Sequence, residues 1–198
     1  RPVCRFLKTH RMILSEGFME NSQRYYIIGY IGAERREAGR KLSQKLGCEL
    51  LILDDEIERL DGRNVKRLCM INGEHAYRNH EFEVLSKLDD TNCKLGCAKN
   101  EVYPDRLVVV CGDGVVLDEM SLEIIKKGKA VFIEEDIDVL WERAKNDDTV
   151  PYAFMYGDDE IKKEKLFREM YEMRLPLYRQ AADENSDKMD ENPDKRSI

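Results

Sequence analysis

The segment 25–53 constrains this chain most. Residues 25–32, YYIIGYIG, are a short apolar run that ends in two glycines. Such a run reads as a buried strand entering a turn. The next segment, 34–46, carries Ala38, Leu42 and Leu46 at helical spacing and stops at Gly47. A second apolar run follows at 50–53. Two strands joined by a helix form a βαβ unit, whose crossover is right-handed. The alternation then repeats: helix signals at 54–60 and 73–88, an apolar run at 107–110, a helix at 118–127 closed by Gly128, an apolar run at 130–133, and helices at 137–144 and 160–182. Strands apolar at every position belong in a parallel sheet covered on both faces. The sequence therefore predicts an α/β fold of three layers, α/β/α, around a parallel sheet.

At 198 residues the chain suits one domain with a sizeable core. Three parts are expected: an N-terminal extension at 1–24, the α/β domain at 25–183, and a disordered acidic tail at 184–198, where apolar residues almost vanish. Within the domain, 89–105 reads as an inserted loop and 146–159 as a mobile flap. Lys and Arg number 33 against 40 Asp and Glu, a net charge of -7. That leaves no broad basic surplus to meet phosphates, which argues against nucleic acid as the main partner. No apolar run is long enough to span a bilayer, so a membrane partner is not expected.

Six cysteines, at 4, 48, 69, 93, 97 and 111, follow no framework spacing. They read as reduced thiols of an intracellular protein in a reducing compartment, the cytoplasm or an organelle matrix. Cys93-x-x-x-Cys97 with His75 and His80 upstream does not match the usual ligand patterns, so no metal site is expected. The chain begins at Arg1 rather than Met, which reads as a processed, trimmed or excised terminus.

A strand, a glycine turn and a helix at the head of an α/β domain is where a phosphate-binding loop belongs. With Gly29-Tyr-Ile-Gly32-Ala33 and Gly39-Arg40 there, followed by Leu53-Asp54-Asp55-Glu56, Gly73-Glu74, Tyr77-Arg78-x-x-Glu81, Gly112-x-Gly114-Val-Val-Leu, Trp141-Glu-Arg143 and Met173-Arg174-x-Pro176-Leu177-Tyr178-Arg179, the chain resembles the shikimate kinase family. These are small P-loop kinases with the nucleoside-monophosphate-kinase fold. The resemblance implies strand order 2-3-1-4. It also exposes departures. The family loop reads G-x-x-G-x-G-K-[ST]-[ST], and here Glu34 stands for a glycine, Arg35 for the phosphate-binding lysine and Arg36 for the Mg²⁺-binding hydroxyl. A Cβ and a negative charge at 34 oppose a bound phosphate, and a guanidinium at 36 repels a cation. Ile52 stands for a metal-adjacent aspartate, and Val150 for the lid arginine. Gly29, Gly32, Glu34, Arg35 and Arg36 thus form a degenerate nucleotide loop.

On the substrate side, the resemblance maps binding of shikimate onto Asp54, Arg78, Gly112, Gly114 and Arg174. Two arginines clamp a carboxylate well. Asp54 accepts from ring hydroxyls and, in an active enzyme, would be the catalytic base. Asp113 replaces the middle glycine of the family's G-G-G and adds an anion beside an anionic ligand. Simpler readings compete: Asp54 as a helix cap, Arg78 paired with Glu74 or Glu81, Arg174 paired with Glu172, Arg36 paired with Glu34 or Glu37. Three functional readings follow. The first is a shikimate-kinase-like pseudokinase that binds a small molecule or scaffolds a protein partner, with no cofactor. The second is an active shikimate kinase of aromatic amino-acid biosynthesis, using ATP and Mg²⁺ through a rebuilt phosphate site. The third is a structural subunit of a larger assembly.

Overall fold

Four runs of consecutive apolar residues become four strands: β1 (Arg24–Gly29), β2 (Glu49–Ile52), β3 (Leu107–Val110) and β4 (Lys129–Ile133). A computed structural model of the chain describes residues 24–89, 103–104 and 106–186. The strands lie parallel in the order β2-β3-β1-β4, as the resemblance implied. β1 is central, with Tyr26 opposite Val109 on one side and Ala130 on the other.

Side chains alternate across a strand, so each strand feeds two cores. Tyr25 and Ile27 join Val108, Val110, Val131 and Ile133 beneath Ala38 and Leu42 of α1 (Arg35–Leu46). Tyr26 and Ile28 face the larger core. There they meet Leu53 and Ile57 of α2 (Leu53–Asp61), Leu68 of α3 (Val65–Asn72), Tyr77 and Leu85 of α4 (Glu74–Asp89) and Ile124 of α5 (Glu119–Ile125). Trp141 of α6 (Ile137–Ala144) and Phe167 and Tyr178 of α7 (Glu160–Ser186) complete it.

Several boundaries differ from expectation. α2 begins at Leu53, so Asp54 lies inside the first turn and does not cap it. The sequence reading missed α3, which Asn64 caps by accepting from the Arg67 N–H at 2.8 Å. α7 runs on to Ser186, three residues into the stretch read as disordered. Each added residue extends an existing helix by one hydrogen bond, which is easier than starting one. The flap at 146–159 is tied down: Val150, Tyr152 and Met155 are buried, around a short 3₁₀ turn at Ala153–Tyr156. The extension at 1–23, most of the inserted loop with Cys93 and Cys97, and the tail past 186 lie outside the described residues. No described helix is long and apolar enough to cross a membrane. Among the described residues, Cys48, Cys69 and Cys111 are free thiols.

Candidate functional site

In a parallel sheet, ligands bind at the carboxyl ends of the strands where the order switches direction. Here a cleft of about 750 Å³ opens at that edge, beyond β1 and β3. Gly32, Ala33, Arg35, Arg36, Asp54, Glu58, Lys66, Tyr77, Cys111, Asp113, Arg143, Asp147, Asp148 and Val150 are among its walls.

The turn after β1 forms one wall. Gly32 sits at φ +82°, and a Cβ there would lie 2.4 Å from the Leu140 carbonyl oxygen, so both conformation and space demand glycine. Three backbone donors of this turn, at 33–35, face protein oxygens. The Ala33 N–H donates to the Tyr30 carbonyl at 3.1 Å and the Arg35 N–H to the Ala33 carbonyl at 2.8 Å. The Glu34 N–H reaches the Glu135 carboxylate at 3.5 Å. That carboxylate also accepts from Arg143 Nη1 at 2.8 and 2.9 Å, and Arg143 donates in turn to the Gly32 carbonyl at 3.2 Å. Arg35 turns its side chain to the end of β3, where Nη1 donates to the Cys111 carbonyl at 2.7 Å. Burial opposes its charge, but Asp113 and Asp54 outweigh that and hold it firmly protonated. Arg36 pairs with Asp55 at 2.7 Å and lies 3.9 Å from Asp54, and Glu37 pairs with Arg40 and Lys41.

The opposite wall hides a polar network behind Asp113. One carboxylate oxygen of Asp113 accepts from Arg174 Nη1 at 2.6 Å and from the Tyr152 hydroxyl. The Tyr178 hydroxyl donates to the Asp113 backbone carbonyl. Arg174 Nη1 also donates to the Tyr152 oxygen at 3.0 Å, and Arg78 Nη2 donates to the same oxygen at 2.9 Å. Arg78 Nη1 is bound to Glu81, whose other oxygen accepts the Gly112 N–H at 3.1 Å. Burial alone would push the Asp113 carboxyl up. Arg174, Arg78 and Arg35 reverse this and hold it below the usual carboxylate range. For Glu81 burial wins over Arg78, and its carboxyl is pushed up to about 7.

The structure thus brings Asp54, the 112–114 turn, Arg78 and Arg174 to one end of the sheet, with Arg78 on Glu81 as one simpler reading had it and Arg174 on Asp113. Asp54 borders the cleft and accepts from the Tyr77 hydroxyl at 2.5 Å; it neutralises neither arginine. Arg174 takes Asp113 and Arg78 takes Glu81. Neither arginine borders the open cleft. The glycines of the turn serve packing. A Cβ on Gly112 would lie 2.2 Å from Glu81 Oε1, and one on Gly114 2.1 Å from Arg78 Nη2. The Gly112 N–H, expected to face a ligand, faces Glu81 instead. Sequence reasoning missed Tyr152, Tyr178 and Glu135. Tyr152, an aromatic just after Pro151 in a polar stretch, was the available signal for an anchor.

Residues 31–197 match the shikimate kinase family. The bifunctional shikimate kinase/3-dehydroquinate synthase of Thermotoga maritima is 30% identical over 155 residues, which cover 78% of this chain and 27% of that protein. This chain thus spans about a quarter of the length of that relative. The shikimate kinase of Aromatoleum aromaticum is 30% identical over 158 residues, 79% of this chain and 80% of that one. Among solved structures, shikimate kinase from Acinetobacter baumannii in complex with shikimate superposes with a TM-score of 0.68 at 26% identity, covering 82% of each chain. The order of the parallel strands, the glycine turn after β1 and these likenesses agree, and the chain belongs to the shikimate kinase family.

Proposed function

We propose that this chain is a shikimate-kinase-like pseudokinase, a binding or scaffolding protein that keeps the family's fold without transferring phosphate from ATP. The observation that carries this reading is the set of backbone donors at 33–35, all directed at protein oxygens instead of into the cleft. A phosphate-binding loop works because its N–H groups point at the ligand. Glu34, in the middle of that turn, adds a Cβ and a negative charge to backbone that a phosphate would have to approach. The charge of the cleft supports the same reading. Arg35, Arg36, Lys66 and Arg143 face five carboxylates, those of Asp54, Glu58, Asp113, Asp147 and Asp148. Such a wall does not favour a nucleotide's phosphates, and the Arg36 guanidinium offers Mg²⁺ no oxygen. The residues present do not fit ATP and Mg²⁺.

On the other side of the cleft, Asp54 borders the open space and supports binding of a small hydroxylated ring compound. An active kinase with a rebuilt phosphate site is the alternative, favoured by Arg36 and Lys66 at the cleft wall. Calorimetry separates the two. The pseudokinase reading predicts no saturable heat with Mg-ATP up to about 1 mM, the weak end of ordinary substrate affinity. Magnesium-dependent binding in the micromolar range contradicts it.

A further inference from the structure

Three guanidiniums and three carboxylates make up the polar network behind the cleft: Arg35, Arg78 and Arg174 against Asp54, Glu81 and Asp113. Five of them sit on the scaffold that surrounds the 112–114 turn, and Asp113 is the tip of that turn. Arg174 and Asp113 are both about 95% buried. A buried guanidinium needs a carboxylate within reach. Without Asp113 the Arg174 guanidinium would lose its paired carboxylate, directly behind the cleft wall. Arg174 and the Tyr152 hydroxyl converge on one carboxylate oxygen, and Arg78 backs Tyr152 from behind. That is the geometry of a site built to hold a carboxylate.

We propose that Asp113 is the built-in occupant of this clamp. Its carboxylate sits where the carboxylate of a ligand would otherwise be held, and it closes the clamp from the cleft side. The cleft is therefore left to an uncharged hydroxylated molecule, and carboxylic acids are excluded by occupation as well as by repulsion. Only this last statement about ligand class rests on the binding function proposed above; the occupied clamp stands on the ion pair alone.

The test removes the occupant and offers another. Asp113→Gly, Asp113→Ser, Asp113→Gly/Arg174→Met and the parent chain are melted in sodium acetate and in sodium chloride at equal ionic strength. Both single variants are expected to melt lower than the parent in chloride and to recover with acetate in a saturable way. The parent and the double variant, which lacks the clamp's guanidinium, should show no such recovery. Asp113→Ser keeps a hydroxyl beside Tyr152, so it carries the test if the glycine variant does not fold. The same acetate response in all chains, or none in either single variant, overturns the proposal. A second arm measures shikimate and its uncharged methyl ester by calorimetry. The parent should show no preference for the acid, and Asp113→Gly should prefer it by at least about tenfold, the value of one charge-assisted hydrogen bond. Acetate recovery without binding of either ring compound supports the occupied clamp and refutes the ring pocket. Tight shikimate binding by the parent chain overturns the occupied clamp.

Discussion

Single residues set the character of this site, and Glu81 shows how. Its side chain is 1% exposed, held between Arg78 and the Gly112 N–H. Burial raises its carboxyl to about 7, against an ordinary 4.5. The folded state thus holds this proton more tightly than the unfolded chain. Its contribution is fully present below about 4.5 and is lost as pH rises through about 7. Glu81→Gln keeps the shape and removes the titration. Relative to that variant, the parent chain should lose on the order of 2 kcal/mol of stability between pH 4.5 and 7, read from urea melts at each pH. A difference that stays flat or rises over that range contradicts the assignment. Asp113 behaves oppositely. Its lowered carboxyl contributes stability above the ordinary carboxylate range, which is lost only as pH falls further into acid. Of this, only the Arg78–Glu81 pair, one helical turn apart, was legible in the sequence. Asp113, Tyr152 and Arg174 are separated by 39 and 22 residues, and only the fold reveals that they share one oxygen. Residue types at family positions indicated the right neighbourhood; the identity of each partner depended on rotamers that a sequence does not display.

Elements were easier to read than pairings. Val-Val-Val at 108–110 and Ile-Ile at 27–28 can lie in little else than a strand covered on both faces, so sheet and layers were anticipated from the runs, and strand order from the family resemblance. The missed helix α3 had its signals in place: Asn64 as a cap, with Val65, Leu68 and Cys69 buried at helical spacing. It was passed over because it is short and lies between two stronger helices. Its stability should depend measurably on the cap. Asn64→Ala removes the acceptor for the Arg67 N–H and should cost about 1 kcal/mol, seen as a lower urea midpoint with an unchanged slope. No change in midpoint would mean that packing of Leu68 and Cys69 alone holds α3. The 146–159 segment teaches the converse. Polar composition suggested mobility, but Tyr152 sends its ring into the core and its hydroxyl to Asp113, and two contacts of that kind are enough to pin the stretch.

At the scale of the whole molecule, a shikimate kinase fold is kept, and the reading proposed above is that its cleft no longer serves phosphoryl transfer. The turn after β1 bonds to itself and to Glu135. The turn after β3 fills its own arginine clamp. Phosphoryl transfer depends on preorganised charge around the transferring group, and losing even one such donor typically costs about a hundredfold or more in rate. On the proposed reading, Glu34, Arg36, Ile52 and Val150 each stand where such a group is needed, while carboxylates outnumber cations along the cleft. The most direct test is a phosphorus NMR time course of the full chain, at high concentration, with Mg-ATP and shikimate. No phosphate ester of shikimate should appear above the protein-free control. A phosphate ester accumulating in proportion to protein, at rates approaching the roughly 1 to 100 per second of ordinary kinases, contradicts the account.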